Sequence, residues 1–351
     1  MNKLFDVLPV PNVNNSILTY LEVASKIMAT KNSVALLANI AKRDNQLFAT
    51  DLSSYLYMSF SNSGHVDGVY LFKMCQAMKT LTGLNLNGAT LENFPEMPLI
   101  QYVDKFHSLN EKQKETLLNA YKFISDDVTR YVMNGIYFDV TGKAIATDGR
   151  RAFYSASIFP DFPNEIIKRT RCIDFILKKG QNIKYQSTKA EEGKSGTYSV
   201  FIFDYKNEHF TYVVQNIEGQ FPNWSRVIPV GYVYCLQMPN LNEWKTIYNR
   251  CKQLADKTTR LQITFTDNYA IFVIATENDP FMEIGKIEWH GEVLDTCNQL
   301  LINYEYLNDL LLIPGLQKIY FNQENFEKVL LFEYKNGDHS VLMPMQRDAT
   351  S

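Results

Sequence analysis

The sequence predicts an α+β fold of three tandem copies of one unit, each with two helices packed on antiparallel strands. Three observations predict it: a tripeptide recurring at hairpin ends, a second string repeated in the same register, and apolar helical faces flanking each hairpin. The tripeptide is Ala49-Thr50-Asp51, Ala146-Thr147-Asp148 and Ala275-Thr276-Glu277, preceded each time by apolar residues. The second string, Phe203-Asp204-Tyr205-Lys206-Asn207, returns as Phe332-Glu333-Tyr334-Lys335-Asn336, 129 residues later, the same offset that separates Ala146 from Ala275.

In chain order, each unit opens with a helix. Ile17/Leu21/Ala24/Met28, Leu117/Tyr121/Ile124 and Ile247/Cys251/Leu254 are spaced to form one apolar face each, and Ser108 with Glu111 predicts a capping box for the middle one. A β-hairpin follows. The first runs from Val34 to Leu37, turns at Arg43-Asp44-Asn45 and returns through Leu47-Phe48. The second runs from Gly135 to Val140, turns at Thr141-Gly142 and returns through Ala144-Ile145, and the third pairs Leu261 to Phe265 with Ile271 to Ile274. Second helices are predicted over Val66 to Leu81, Ile166 to Lys179 (stopped by Gly180) and Asn303 to Leu312 (stopped by Pro314-Gly315). Closing strands rich in β-branched and aromatic residues cover Tyr198 to Phe203, Phe210 to Val214, Val329 to Tyr334 and Ser340 to Met343, with Asn336-Gly337 as a tight turn. The first unit is short by one such hairpin. The resulting domains are 1–105, 106–233 and 234–351.

Composition narrows the function. The 351 residues are 46% hydrophobic and 21% charged, which excludes disorder as the main state, and Lys+Arg 35 against Asp+Glu 38 provides no bulk positive field. A nucleic-acid role therefore needs local segregation of charge. Five scattered cysteines, never in a C-x-x-C pair, read as buried small hydrophobes in a reducing compartment, and no apolar run approaches 18 residues. The five histidines form no metal-ligand spacing, no G-x-S-x-G turn occurs, and Gly193-Lys194-Ser195 fails as a phosphate loop because Thr188 stands where that motif needs glycine. No catalysis, metal or cofactor is expected.

Four strings then carry a resemblance. Arg130-Tyr131-Val132-Met133-Asn134-Gly135-Ile136-Tyr137-Phe138, Ala146-Thr147-Asp148-Gly149-Arg150-Arg151, Glu218-Gly219-Gln220-Phe221-Pro222-Asn223-Trp224-Ser225-Arg226-Val227-Ile228-Pro229 and Val341-Leu342-Met343-Pro344-Met345 match, in order and approximate spacing, the bacterial β sliding clamp family. The chain resembles that family over about residues 110 to 346 and only weakly before. The resemblance implies three clamp domains per subunit and a head-to-tail homodimeric ring, with helices lining the hole and sheets outside. It also implies partners: duplex DNA bound without regard to sequence, a clamp-loader ATPase, and a DNA polymerase docking by a short peptide between the second and third domains. Carried over residue by residue, the groove is Met133, Thr147, Gly149, Arg150, Arg151, Ala152, Pro222, Val227, Val341, Met343, Pro344 and Met345. Its setting would be the cytoplasm, at the nucleoid, with no membrane partner.

Residue chemistry allows such a groove, since methionines adapt to varied apolar partners. From the residues alone, Met343 to Met345 read first as the end of a buried strand, and Thr147-Asp148-Gly149 as an ordinary turn. Charge placement suits a ring on DNA: seven basic residues against two acidic ones lie between Glu165 and Lys189, and five against two between Asn242 and Arg260. Lys168, Arg169, Arg171, Lys178, Lys179, Lys245, Arg250 and Lys252 are the candidate DNA-facing residues, with solvated helix faces as the plain alternative. Lys26, Lys31, Lys73 and Lys79 are weaker candidates, and the helix bearing Glu305 and Asp309 is expected to make little DNA contact.

Departures from the family pattern bear on partners. Ala152 stands where the family usually has leucine, Arg150 where histidine is common and Met133 where leucine is common, so the groove floor and charge are altered. A polar tail, Gln346 to Ser351, extends past Met-Pro-Met and could drape over the groove. Such divergence in an Asn- and Tyr-rich chain fits a phage or mobile-element clamp. A clamp-fold decoy that binds replication factors without encircling DNA is the alternative, against which the basic helices argue.

Overall fold

The computed structural model describes residues 15–28, 38–59, 67–78, 81, 90–95, 105–190, 195–229, 234–237, 241–255, 259–266, 269–275, 281–288, 299–321 and 329–345. They form two compact units, residues 1–118 with 161–218 and residues 119–160 with 219–351. All strand pairs given below are antiparallel.

The first unit is built on an eight-stranded sheet. Helix α1 (Asn15–Ala24) buries Ile17, Leu21 and Ala24, with Met28 just beyond it also buried. The hairpin β1 (Asn39–Arg43) and β2 (Gln46–Thr50) turns at Asp44-Asn45, and Ala49-Thr50-Asp51 leads into β3 (Ser54–Ser59). Next come β4 (Gly68–Leu71) and α2 (Phe72–Met78), then β5 (His107–Ser108) and the start of α3 (Glu111–Ala120). The hairpin β6 (Gly135–Phe138) and β7 (Ala144–Thr147), followed by β8 (Arg151–Tyr154), belongs to the second unit. The chain returns to the first unit through β9 (Ile166–Lys168), α4 (Arg171–Lys179), β10 (Gln181–Lys189), β11 (Thr197–Tyr205) and β12 (Glu208–Gln215). The sheet order is β4-β1-β2-β3-β12-β11-β10-β5, so the first repeat's hairpin continues into the second repeat's closing strands at β3–β12.

The second unit adds β13 (Tyr234–Gln237), α5 (Leu241–Leu254), β14 (Arg260–Phe265), β15 (Tyr269–Ile274), β16 (Met282–Glu288), β17 (Gln299–Asn303), α6 (Tyr304–Leu311), β18 (Leu316–Phe321), β19 (Leu330–Tyr334) and β20 (His339–Leu342). One sheet runs β13-β18-β19-β20-β8-β7-β6 and a four-stranded one runs β16-β15-β14-β17. Here the second repeat's hairpin joins the third repeat's closing strands at β20–β8. α5 packs on the four-stranded sheet through buried Trp244, Ile247 and Cys251. The approach is close: a side chain on Gly285 of β16 would come within 2.7 Å of Ile247 Cγ1. Leu254, expected on that face, is half exposed.

Three sequence expectations are corrected. The capping box of α3 is not Ser108 with Glu111 but Asn110 with Gln113, each side chain accepting the other's backbone N–H at 2.9–3.1 Å, while Ser108 is drawn into β5 opposite Lys184. The helix predicted from Ile166 starts only at Arg171 with Thr170 as its cap, because Ile166-Ile167-Lys168 is strand. Likewise Gly68-Val69-Tyr70-Leu71, predicted helical, pairs with β1 before α2 begins at Phe72. In both cases a β-branched or aromatic run adds a strand and feeds straight into the helix, as Leu300-Leu301-Ile302 also does before α6.

Cys75, Cys172 and Cys251 are buried free thiols. Val34 to Leu37, Thr276-Glu277, Gly193-Lys194, Lys31, Lys79, Asp256, Lys257, Cys297 and the tail from Gln346, together with most of the stretch where the first repeat is short by a hairpin, lie outside the described residues. Among the described residues no helix is long and apolar enough to cross a membrane, and no three His, Cys, Asp or Glu side chains converge as metal ligands do.

Candidate peptide groove and basic helix faces

The predicted groove residues all fall in the second unit, and strand register sorts them. Because successive strand residues point to opposite faces, the cross-strand row Thr147–Ala152–Val341 lies on one face, together with Ile145, Tyr154 and His339 one row over and Tyr137 beyond. Arg151, Phe153, Ser340 and Leu342 point to the other face, which the helices cover: Phe123 packs on Phe153 at 5.6 Å and the Tyr334 hydroxyl donates to the Leu310 carbonyl of α6 at 3.0 Å.

A loop lies across the first face. Phe221 stacks on Tyr137 at 4.8 Å and Trp224 packs on Tyr154 at 5.4 Å, so these two aromatic anchors hold Pro222 and the short helix Trp224–Val227 over the sheet. Val227 at the end of that helix stays 38% exposed. A second wall is the 3-10 segment Val128–Met133. It lies against the start of the loop, since a side chain on Gly219 would meet Val132 Cγ1 at 2.8 Å. It also lies against the Thr147–Arg150 turn, since a side chain on Gly149 would meet Arg130 Nη1 at 2.6 Å. Gly149 has φ +85°, so that turn needs glycine on conformational grounds as well. Half-buried Met133 closes this segment.

The end of β20 completes the site. Met343 N–H donates to the Arg150 carbonyl at 2.9 Å and Met345 N–H to the Leu301 carbonyl at 2.7 Å, which fixes Met343-Pro344-Met345 against the turn and against β17. Val341 is buried, whereas Met343 is 46% exposed and supplies a soft apolar edge. The turn is locked by its own side chains: Thr147 Oγ1 donates to the Arg151 carbonyl, and Asp148 Oδ1 accepts the N–H groups of Arg150 and Arg151. Arg150 is left exposed at the rim.

Arg151 occupies a different place from its neighbours. Its guanidinium donates to Asp148 Oδ2 at 3.0 Å, Asp309 Oδ2 at 2.6 Å and the Lys122 carbonyl at 2.7 Å, and lies 4.3 Å from the Tyr306 ring and 5.1 Å from the Phe123 ring. It is buried on the helix side of the sheet, the face opposite Ala152.

Sequence reading missed four groups on the groove face. Tyr154 stacks on His339 at 5.1 Å, and Lys143 lies 5.8 Å over Tyr154 and 5.5 Å over Trp224. Burial pushes the Tyr154 hydroxyl up to about 12 and holds the His339 imidazole below its ordinary value, which favours its neutral form. The two-residue alternation from Ala152 to Tyr154 and from Val341 to His339 was the signal available for Tyr154 and His339.

The basic candidates sit on two helix faces. In the first unit, Lys168 is half-buried with Nζ 3.2 Å from Ser53 Oγ, while Arg169 and Arg171 are exposed at the start of α4. Lys178 pairs with Asp174 at 2.8 Å, and Lys179 is exposed. In the second unit, Lys245 and Lys252 are exposed on α5, opposite its buried Trp244/Ile247/Cys251 stripe. Arg250 donates to the Ile284 carbonyl at 2.6 Å, which partly commits it to the fold. Asp309 of α6 serves Arg151 rather than solvent alone.

No protein-family model matches the chain. The β sliding clamp of Rickettsia bellii is 25% identical over 288 residues, covering 75% of this chain and 72% of that one. A β sliding clamp of Caulobacter crescentus superposes with a TM-score of 0.74 at 17% identity, over 95% of this chain and 97% of that chain. The Helicobacter pylori β clamp bound to a DNA ligase peptide gives a TM-score of 0.70 at 15% identity, over 95% and 98% of the two chains. In sequence over most of its length and in fold over nearly all of it, the chain is similar to the bacterial β sliding clamps.

Proposed function

We propose that this protein is a DNA sliding clamp: two copies close head to tail into a ring around duplex DNA, and a polymerase is tethered through a peptide seated in the second unit's groove. In this reading each subunit has three clamp domains, 1–105, 106–233 and 234–351, and a clamp-loader ATPase opens the ring in the cytoplasm. The protein performs tethering and no chemistry.

The groove is the observation that carries the reading. One sheet face carries the buried Thr147–Ala152–Val341 floor, roofed in part by a loop pinned at two aromatic anchors and edged by exposed Met343. Such a site suits a short peptide with apolar anchor residues, and the exposed Arg150 and Arg226 at its margin favour a peptide with an acidic residue beside them. The H. pylori clamp, similar in fold, holds a ligase peptide. Exposed Lys179, Lys245 and Lys252 and the basic start of α4 suit weak phosphate contact that does not read sequence.

Retention on DNA tests it. Protein loaded on a nicked circular plasmid should stay bound through gel filtration and be lost once the plasmid is linearised. Equal retention on circle and line would mean ordinary binding, and none on either would favour the decoy.

A further inference from the structure

The Thr-Asp turn at the groove has a structural twin in the first unit. Thr50 Oγ1 donates to the Ser54 carbonyl as Thr147 Oγ1 does to that of Arg151, and Asp51 Oδ1 accepts the N–H groups of Ser53 and Ser54 as Asp148 Oδ1 does those of Arg150 and Arg151. Even the left-handed third residue is shared, Leu52 at φ +73° matching Gly149 at φ +85°. Ser54 and Arg151 therefore occupy the same place, each opening the strand after its turn.

What fills that place differs. In the second unit the Arg151 guanidinium is neutralised within the protein by Asp148 and Asp309. In the first unit Ser54 lines a cavity of about 350 Å³. Four cations border it: Lys26 just past the end of α1, and Lys168, Arg169 and Arg171 before and at the start of α4. The one carboxylate on its wall, Asp51, spends Oδ1 on four donors of its own turn, the N–H and hydroxyl groups of Ser53 and Ser54 at 2.7–3.0 Å. Lys168 reaches only the Ser53 hydroxyl, at 3.2 Å, and Lys26 lies over the Phe175 ring at 5.6 Å. Positive residues thus outnumber negative ones on the wall of a space of molecular size, where the arginine at the equivalent place in the second unit is met by two carboxylates.

We infer that this cavity binds a phosphate group. A tetrahedral oxyanion presents several acceptors at once, which suits a wall carrying two arginines and two lysines, contributed by the segment after α1, by the end of β9 and by the start of α4, with Thr170 among them. The phosphate comes either from a nucleic-acid backbone or from a free phosphate compound. Only the first source rests on the proposed clamp function; the site itself does not.

Calorimetric titration of the full-length protein with inorganic phosphate and with pyrophosphate, in low-salt chloride buffer, tests the site. Saturable binding to one site is expected, weakened by about tenfold in Arg171→Gln, which removes one charge-assisted donor from an exposed position. Lys26→Gln, which removes a second cation from the wall, should weaken it as well. No saturable binding in the parent protein, or binding left unchanged by both of these, overturns the inference. Competition by a short duplex would identify the backbone as the source, and phosphate bound undisturbed beside DNA would identify a free compound; both outcomes uphold the site. A protein that binds phosphate but is not retained on nicked circles would refute the clamp reading and leave the site standing.

Discussion

Replacing Arg151 with alanine should destabilise the second unit while changing nothing on the groove face. The guanidinium makes three charge-assisted bonds, to Asp148, Asp309 and the Lys122 carbonyl, from a side chain only 9% exposed. The Asp309 side chain is 40% exposed and can be rehydrated when its partner leaves, whereas that of Asp148, at 13%, cannot be rehydrated well. Counting about 1.5 kcal/mol for each of the two shielded bonds and nothing for Asp309 gives about 3 kcal/mol. Lost stacking on Tyr306 and Phe123 adds about 1 kcal/mol. The sum, about 4 kcal/mol, lies in the range found when one partner of a buried ion pair is removed. For a cooperative unit of this size it lowers Tm by about 8–16 °C. Urea unfolding followed by far-UV circular dichroism measures it, with two controls. Arg151→Lys should lose most of the same stability, because a point charge cannot span three acceptors, and Asp309→Asn should lose little. A loss below about 1 kcal/mol for Arg151→Ala would refute the accounting. Unchanged stability with lost peptide binding would place the guanidinium in the groove after all.

Other outcomes follow from the same geometry. Ending the chain before Met343 should abolish binding of an apolar docking peptide in a fluorescence-anisotropy titration, and Met343→Ala should weaken it several-fold without altering Tm, since that side chain is half exposed. Leu52→Asn should stabilise the first unit by about 0.5–1 kcal/mol, because an exposed leucine in the left-handed region gives way to a residue that tolerates it; chemical denaturation would show no gain if the turn strain is absent. His339 has its folded-state pKa lowered by burial, so the unfolded chain binds its proton first as pH falls. Stability should thus decline below the ordinary histidine value near 6.5 and level off beneath the lowered one, and His339→Phe should remove this component of the pH profile.

How much of this could be read from sequence depended on the kind of signal. The repeated unit and the turns at Thr141-Gly142 and Asn336-Gly337 were legible because a turn needs particular residues at particular places: Gly142 and Gly337, both left-handed, leave marks independent of what packs around them, whereas the first hairpin's opening strand, read at Val34 to Leu37, is Asn39–Arg43. The helix starts at Arg171 and Phe72 were misplaced because Ile166-Ile167 and Val69-Tyr70 satisfy a helical spacing as well as a strand, and only pairing with another strand decides between them. The α3 cap was misassigned for a related reason: Ser108 and Asn110 are both good caps, and Ser108 is claimed by the sheet. For the candidate groove, motif order named segments that do lie together in the second unit, but it could not say which way each side chain points. Arg150, Arg151 and Ala152 are consecutive, yet one lies at the rim, one is buried beneath the sheet and one forms the floor.

That division within three residues bears on how such a groove can diverge. On β8 the helix-facing positions, Arg151 and Phe153, are tied to Asp148, Asp309, Phe123 and the Lys122 carbonyl, so a change there disturbs the packing of the whole unit. Ala152 and Tyr154, on the other face, meet a loop held chiefly by ring contacts at Phe221 and Trp224, and a change at Ala152 alters the depth of the floor without touching those anchors. On the proposed reading, partner choice can shift through Ala152, Arg150 and Met133, the positions at which the sequence departs from the pattern that the resemblance implies, while the scaffold stays fixed. The twin turn in the first unit shows the same freedom taken further: with its backbone bonds preserved, replacing the buried, balanced arginine by Ser54 leaves room for an outside anion.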